Sequence, residues 1–389
     1  MPAVSASPIQ PVLDHLVAAV DEHQVCGSDV LSALSRVPDP RARRGVRHQM
    51  TTILAVALCA VLAGARSFVA LGEWAANACP QVLSALGVGG CPPCESTLRR
   101  TLQRLGGDDL DAAMGDWTAG RTSQPGLRRA LALDGKTLRG SVGADGRARH
   151  LMAAIDHHAG VVLGQVDVDG KTNEIPMFSQ LCDQIPDLEG VVVTADAMHC
   201  QKAHADYLVL QRGAHYILTV KGNQPTLRNQ LKALPWKDVP VSHTSTDRGH
   251  GRVEKRTLKV VAVSTGILFP HAVQAIQITR KTRKLGSKKW RTEVVHAVTS
   301  LTTAHATDAQ LAAFIRGHWC VENRLHWVRD VTFDEDRSQV RTGNGPRVMA
   351  SLRNLAISLL RLAGASNIAQ ALRHHSWDPL RPVELLLTS

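Results

Sequence analysis

Two aspartates stand where a carboxylate side chain could bind a metal ion. Asp134 follows the apolar residues 130–133, and Asp196 follows the largely apolar residues 191–195. Each aspartate is expected to end a buried strand, where a carboxylate is costly unless it is paired or bound to a metal. Taken singly, such an acid is more often a turn residue or a salt-bridge partner, so it is the set that favours a site.

A third carboxylate, Glu322, lies in a segment with helical periodicity, residues 315–330. With 3.6 residues per turn, one face of that helix is expected to carry Glu322 together with His318, His326 and Arg329. The spacing of the two histidines around Glu322 would also suit zinc. Zinc is the weaker hypothesis, because the histidines would lie two turns, roughly 12 Å, apart.

The three acids have the chemistry of a two-metal site. Carboxylate oxygens suit hard divalent cations, and two aspartates with one glutamate can hold two Mg²⁺ or Mn²⁺ ions. Two such ions, roughly 3.5–4 Å apart, activate the attacking oxygen and stabilise the leaving oxygen in phosphodiester cleavage. Asp134, Asp196 and Glu322 are accordingly predicted to be both the metal ligands and the catalytic residues.

The charge of the chain favours a polyanionic partner. The 389 residues carry a formal net charge of +11, and the sequence pI is about 9.5. Residues 247–291 alone contain twelve Lys or Arg and only two acids. A basic block this concentrated favours a nucleic-acid surface, although a solvated face of a basic protein would look the same.

Cationic, polar and aromatic side chains near the acids and in the basic block are predicted to contact DNA. They are Lys136, Arg139, Lys171, Lys221, Asn223, Arg252, Lys288, Lys289, Trp290, His318 and Arg329. For Lys136 and Arg139 a solvent-exposed turn fits equally well, and for Trp290 a buried position does. Trp319 and Trp327 are expected to pack in the core beside the third acid.

Hydrophobic patterning divides the chain into five regions. In order they are a helical region (1–125), the first part of a mixed α/β core (126–232), a basic β-rich insertion (233–303), the second part of the core with the glutamate helix (304–365), and a tail (366–389). Within the core, the order strand, strand, strand, helix, strand, helix, strand predicts a mixed sheet.

The sequence gives no indication of a membrane partner. Residues 1–12 lack the basic and apolar stretches of a secretory signal. The longest apolar run, residues 50–65, has 16 residues, which is below the roughly 18–20 needed to span a bilayer. The protein is therefore expected in the cytoplasm.

A series of motifs runs in order over most of the chain. They read DPRARRGVRHQMTTILAVALCAVLAGARS, STLRRTL, LALDGKTLRGS, KTNEIP, VVVTADAMHCQ, YILTVKGNQP, HGRVEKR, HWCVENRLHWVRDVTFDEDRS and GNGPRVMASLRNLAISLL. In these motifs the chain resembles the DDE transposases of bacterial insertion sequences, in the group that includes the H-repeat-associated proteins of Rhs elements. An ordered set of motifs is far more specific than any one of them.

The resemblance implies an RNase H-like mixed sheet with helices, interrupted by the β-rich insertion. It also implies that the preceding α-helical N-terminal domain binds and assembles DNA ends. The three acids named above become the DDE triad. Related transposases carry a Tyr-Arg-Glu-Lys signature, and its Tyr, Arg and Lys positions correspond here to Ile315, His318 and Arg329.

The reaction implied is metal-dependent hydrolysis at the ends of the element, with two Mg²⁺ or Mn²⁺ ions as cofactors. The 3′-hydroxyl groups released then attack target DNA. The partners implied are double-stranded DNA, as terminal inverted repeats and as target, and a second copy of the chain in a dimer on DNA at the nucleoid. Two alternatives stay open: a DNA-binding derivative without strand transfer, and a metal-dependent nuclease of the same fold.

Overall fold

The structure is a computed structural model that describes residues 30–122, 126–143, 146–168, 173–249, 251–263 and 267–389. Within these ranges the chain forms a nine-stranded sheet with helices on both faces. A layer of N-terminal helices packs against one of the two helical faces. The mixed α/β class expected from the sequence is therefore present.

Six helices fill the described part of the N-terminal region. They are α1 (Val30–Ser35), α2 (Met50–Leu62), α3 (Phe68–Asn77), α4 (Pro80–Ala85), α5 (Glu95–Arg104) and α6 (Gly107–Ala119). α2 is apolar on all sides and buries every residue except Thr51, so it lies at the centre of this core. α5 is amphipathic instead, since it buries Leu98 and Leu102 and exposes Arg100 and Arg104.

Nine strands form the sheet. They are β1 (Ala130–Leu138), β2 (Arg149–Asp156), β3 (Val162–Val168), β4 (Val192–Ala195), β5 (His215–Val220), β6 (His243–Gly249), β7 (Arg252–Ala262), β8 (Gln274–Lys284) and β9 (Arg291–Thr299). Their order across the sheet is β3-β2-β1-β4-β5-β9-β8-β7-β6. β1, β4 and β5 run parallel, and every other neighbouring pair is antiparallel.

The β-rich stretch expected at residues 233–303 extends this sheet. β9 pairs with β5 from Ile217↔Thr299 to Val220↔His296, and β8, β7 and β6 follow in turn. Sequence patterning does not reveal β6, because its residues, HTSTDRG, are polar throughout. Its backbone nevertheless pairs with β7 over seven residues and forms the outer edge.

Helices cover both faces of the sheet. On one face lie α7 (Met177–Asp183), α8 (Lys202–Asp206) and α9 (Pro225–Ala233). On the opposite face lie α10 (Asp308–Gly317), two π-helical runs (Val321–His326 and Val328–Thr332) and α11 (Gly345–Leu362). α11 buries all but its last two residues, because it lies between the sheet and the N-terminal helices.

The tail expected at residues 366–389 is helical. It forms α12 (Ile368–Ser376) and α13 (Leu380–Leu387). Their apolar residues, among them Leu372 and Leu386, join the core built around α2. None of the described helices combines the length and the apolar character that crossing a membrane would require.

A fully buried ion-pair cluster holds α11 against the segment that follows the π-helical runs. Glu335 accepts hydrogen bonds from Arg329 Nε and from Arg353 Nη1, both at 2.8 Å. All three side chains are almost inaccessible to solvent. Although burial alone would raise it, the charges of the two arginines lower the pKa of Glu335 to about 2.

The predicted DNA contact of Arg329 is therefore wrong in this structure. Its guanidinium is inside the core and bonds Glu335, Gln165 and Asn354. The cause is the local helical geometry. In π-helical turns each N–H bonds the carbonyl five residues earlier, as Phe333 does to Val328, so residues seven apart no longer share one face.

The Glu335 cluster generates a stability prediction. We expect Glu335→Gln to lower the free energy of unfolding by about 3–5 kcal/mol, because two buried guanidinium groups lose their counter-charge. The folded pKa of Glu335 lies below its unfolded value near 4.5, so this contribution is present above about pH 4.5 and is lost as pH falls toward about 2. Urea unfolding between pH 7 and pH 3 measures both effects.

Asp334→Asn is the matched control, since Asp334 is partly exposed and its ion pairs, with Arg66 and Arg337, are 3.7 and 3.9 Å long. It is expected to change stability by less than about 1 kcal/mol. Equal losses in the two variants, or a wild type whose stability is constant from pH 7 to pH 3, would contradict the role assigned to Glu335.

Candidate active site

The parallel register of β1 and β4 places Asp134 and Asp196 side by side. Their last paired residues are Leu133↔Ala195, and each aspartate is the next residue along its strand. Because side chains alternate across a strand, both carboxylates project to the face that carries α10 and α11. One detail of the sequence-based expectation is corrected: β1 does not end at Asp134 but continues to Leu138 by pairing with β2.

Asp134 lies in an unfavourable electrostatic environment. Burial and then the negative charge of Glu174 raise the pKa of Asp134 to about 7, and the charges of Asp196 and Glu322 add to the shift. Among the described residues, the nearest cation-forming group is His326, whose Nδ1 lies 3.6 Å from Asp134 Oδ2. Burial, with the charges of nearby cations, lowers the pKa of His326 to about 3. The imidazole is therefore neutral near pH 7 and does not offset the carboxylate charge.

Asp196 precedes a short turn that borders an open cavity. Its Oδ1 accepts a hydrogen bond from the backbone N–H of Met198 at 2.8 Å, which fixes a short helical turn after β4. The adjoining cavity, of about 330 Å³, is lined in part by Met198, Lys221 and Asn223. Asn223 donates a hydrogen bond to the Ala197 carbonyl at 2.5 Å. The structure thus brings two of the predicted DNA-contacting side chains next to the second aspartate.

Glu322 reaches the same face of the sheet from the first π-helical run. Its side chain is exposed, and partial burial raises its pKa. His318, four residues earlier, bonds Thr194 Oγ1 on β4 at 3.3 Å, and the same hydroxyl is 3.0 Å from His157 Nε2. Burial lowers the pKa of His318 to about 4, so it acts as a neutral hydrogen-bonding anchor. This anchor holds the segment that carries Glu322 against β4.

Two tryptophans near Glu322 are not where the sequence pattern puts them. Trp319 is 49% exposed and Trp327 is 57% exposed, whereas both are expected to be core residues. Trp327 lies between the two π-helical runs, where the extra residue per turn rotates its side chain away from the sheet, and Trp319 lies in the turn between α10 and the first run. Two indoles therefore stand at the surface on either side of Glu322.

Lys136 and Arg139 form ion pairs with acids of residues 330–336. Lys136 is buried, and its Nζ lies 2.5 Å from Asp330 Oδ1 and 3.8 Å from Asp336 Oδ1. Arg139 is exposed and lies 3.7 Å from Asp336. The alternative of a solvent-exposed turn is therefore wrong for Lys136. Of the two charged groups, only that of Arg139 is open to solvent.

Sequence reasoning missed a buried carboxylate on the opposite face of β1. Glu174 accepts hydrogen bonds from His150 Nε2 at 2.8 Å and from His199 Nε2 at 3.2 Å. Although burial alone would raise it, these two bonds lower the pKa of Glu174 to about 2. His150 lies on β2, opposite β1, and His199 lies three residues after Asp196. The carboxylate therefore ties together the two segments that bear the aspartates.

We call Glu174 with its partners His150 and His199 the brace. The glycine that follows Asp134 is the sequence signal for it. A Cβ on Gly135 would collide with the Glu174 carboxylate and would lie 2.5 Å from His150 Nε2. Only a residue without a side chain lets Glu174 approach the backbone this closely.

The remaining predicted contacts are remote from the acids or lie outside the described residues. Arg252 is on β7, four strands from β4 and hence roughly 19 Å away, and it lies 3.9 Å from Glu254. Lys288 and Lys289 are exposed in the β8–β9 turn. Trp290 is 41% exposed, not buried, and the Arg283 guanidinium lies 5.2 Å from its ring centre. Lys171 falls among the residues that the structure does not describe.

The brace generates a double-mutant prediction. Gly135→Ala is expected to lower the free energy of unfolding by roughly 1–3 kcal/mol, because the added methyl group collides with Glu174. The same change in a Glu174→Ala background is expected to cost less, since the colliding carboxylate is gone and the His150 ring, which no longer bonds it, can move aside. Thermal and urea unfolding of the four proteins give the coupling between the two positions; additive costs would show that the two side chains do not compete for this space.

With this geometry in place, comparison with known proteins assigns the chain to a family. "Putative transposase YncI" of Escherichia coli O157:H7 is 28% identical over 347 residues, which cover 85% of this chain and 87% of that protein. "H repeat-associated putative transposase YhhI" of Escherichia coli strain K12 is 27% identical over 342 residues, which cover 85% and 90%. "Uncharacterized protein in dhlA 3′region" of Xanthobacter autotrophicus is 33% identical over 230 residues, which cover 58% and 77%.

One solved structure, the cryo-EM structure of the piggyBac transposase synaptic complex with hairpin DNA, aligns with a TM-score of 0.40 and 11% identity over 92% of this chain and 78% of that chain. Two family models match the sequence directly. The DDE_Tnp_1-associated model covers residues 31–118, and the model of the transposase DDE domain covers residues 125–359. Because the second model spans more than half of the chain, the chain belongs to the transposase DDE domain family.

Proposed function

We propose that the protein is a DDE transposase that cuts DNA at the ends of an insertion sequence and joins those ends to target DNA. The observation that carries the proposal is the convergence of Asp134, Asp196 and Glu322. The first two are neighbours on one face of the sheet, and the charges of Asp196 and Glu322 both act on Asp134. Three acids that repel one another at a partly open site are arranged for a cationic ligand, not for stability.

The sheet supports an RNase H-like core. Its first five strands lie in the order β3-β2-β1-β4-β5, with β1–β3 antiparallel and β1, β4 and β5 parallel. β6–β9 lie between β5 and α10 in sequence, so they are an insertion that adds to the edge of that core. On this proposal the regions 1–125, 126–232, 233–303, 304–365 and 366–389 serve in turn as end-binding domain, first core part, insertion, second core part and tail.

The acids present fit a divalent cation. All three offer hard oxygen donors, and among the described residues the cation-forming group within 4 Å of Asp134 is His326, whose lowered pKa leaves it neutral near pH 7. Among the described residues no three Asp, Glu, His or Cys side chains already enclose a metal site. Asp134 and Asp196 would hold Mg²⁺ or Mn²⁺, and exposed Glu322 would complete the ligand set. Two such ions, when bound, would supply activation of the attacking oxygen and charge stabilisation of the leaving oxygen.

The side chains around the acids have separate tasks in this reaction. Lys221 and Asn223, which line the cavity beside Asp196, bind the phosphates next to the scissile bond. His318 anchors the segment that carries Glu322 to β4, and Glu174 holds the two aspartate segments in register. The repelling carboxylates are thus kept in place before any ligand arrives, which is the preorganisation that a catalytic site requires.

The proposed chemistry has two displacement steps at phosphorus. Water attacks the phosphodiester at the end of the element, the 3′ oxygen leaves, and a free 3′-hydroxyl results. That hydroxyl then attacks a target phosphodiester, so one P–O bond forms while another breaks. The partners on this proposal are terminal inverted repeats, target DNA and a second copy of the chain, and the cellular location is the nucleoid.

Substitution of single acids tests the function. Asp134→Asn, Asp196→Asn and Glu322→Gln are each expected to reduce Mg²⁺-dependent nicking of duplexes with the element's own ends by at least about 100-fold, and to bind those duplexes within about threefold of wild type. Nicking and strand transfer are measured on gels with Mg²⁺, Mn²⁺ or EDTA, and binding is measured by fluorescence anisotropy.

Asp116→Asn, an exposed change on α6, is the matched control and is expected to leave nicking unchanged. Nicking that persists in Asp196→Asn would remove that residue from the site. End-specific cutting without joining would favour a nuclease, and specific binding without cutting in wild type would favour a DNA-binding derivative.

A further inference from the structure

The insertion strands divide their charges between the two faces of the sheet. The register from β4 to β6 contains no irregularity, so the face of each residue follows from its position. Asp247, Glu254 and Glu293, the acids of β6–β9, all project to the same face as Asp196. The cations that share this face are Arg252, Arg256, Arg280, Lys284 and Arg291.

We call the face that Asp196 shares the catalytic face. Most arginines on it form ion pairs. Glu254 is only 4% exposed and pairs with Arg256, and with Arg280 at 2.7 Å. Asp247 Oδ2 lies 2.9 Å from Arg316 on α10 and 3.4 Å from Arg256. These contacts fasten the insertion to α10, and the three acids offset part of the positive charge on this face.

The opposite face of the same strands has five cations and no acid. They are Arg248, Lys255, Lys259, Lys281 and Arg283. Lys255 and Lys281 are direct cross-strand partners, both are exposed, and within the described ranges neither forms an ion pair. Like charges directly opposite each other destabilise a sheet, so folding gives no reason for this pair.

α9 continues the basic surface toward the core. Arg228 and Lys232 are exposed one turn apart on this helix. Burial lowers the pKa of His296, a β9 residue on the same face, and the charges of Lys232 and Arg228 lower it further. Arg228, Lys232, Arg248, Lys255, Lys281 and Arg283 therefore form one surface, which we call the reverse basic surface.

We propose that the reverse basic surface binds a second DNA duplex through its phosphates while the catalytic face holds the duplex that is cut. Exposed lysines without acidic partners are point charges suited to phosphates and carry no sequence preference. The surface lies on the side of the sheet away from Asp134 and Asp196, so a duplex seated there leaves the acids free. The second duplex is the target, since contacts to phosphates alone carry no sequence preference, and this assignment rests on the proposed function.

The test compares two double variants of the full chain. Lys255→Gln/Lys281→Gln removes two cations from the reverse basic surface. Lys284→Gln/Arg291→Gln removes two exposed cations from the catalytic face of neighbouring strands, neither of which has an ion pair with a described residue, so the loss of net charge is the same. Each protein is first bound to a bead-bound duplex without element ends. EDTA is present, so that nothing is cut. The capture of a second, labelled duplex is then measured.

We expect the reverse double variant to load onto the bead-bound duplex but to capture at least about fivefold less of the second duplex than wild type. The slope of log affinity for the second duplex against log salt is expected to fall by about 1.8 in magnitude, which is two phosphate contacts. The control double variant is expected to capture the second duplex like wild type.

Equal losses in both double variants would show a mere effect of net charge and would overturn the proposal. So would undiminished capture in the reverse double variant, which would show that two catalytic faces of a dimer bridge the duplexes. Because the assay needs no cleavage, its result stands apart from the nicking test: a chain that cuts but fails here loses only this proposal, and a chain that captures but never cuts loses only the proposed function.

Discussion

The parallel pairing of β1 with β4 is the constraint on which the candidate site depends. It sets Leu133 beside Ala195 and so fixes the next two residues, both aspartates, as neighbours on one face. A slip of one residue in either strand would send one carboxylate to the other side of the sheet. Glu174, held by His150 and His199, reinforces the same register from the opposite face. The fold therefore holds together two like charges that would otherwise separate.

Within the part of the chain that the structure describes, Asp134 lacks an arginine partner, whereas three buried acids have one. Glu335 has two arginines, Glu254 has Arg256 and Arg280, and Asp111 is bonded by Arg347. Among the described residues, the cation-forming side chain within 4 Å of the Asp134 carboxylate is that of His326, which is neutral near pH 7. These three buried acids are each compensated by at least one arginine, so a carboxylate without one, beside two others, marks a place for a ligand.

Local patterns in the sequence account for the strands other than β6, for the aspartates and for the glutamate segment, because alternation and apolar runs are local properties. They do not account for Arg329 or Trp327, since a period of 3.6 residues does not hold in π-helical turns, nor for Trp319, which lies in the turn after α10. Glu174 also escapes local patterns, because its partners come from β2 and from the turn after β4. Gly135 did carry that information, but only the packed structure shows what its missing side chain makes room for.

The exposed indoles beside Glu322 give the site its own optical reporter. Trp319 and Trp327 lie three residues before and five residues after the glutamate, half open to water, whereas Trp117 is buried in the helical core. Collisional quenchers in solution reach the first two, as they reach the exposed Trp290 and Trp377, and do not reach Trp117. Anything that settles over the acids shields the pair beside Glu322, so in a chain whose Trp290 and Trp377 are replaced by phenylalanine the change in quenching registers occupancy of the site without a chemical tag.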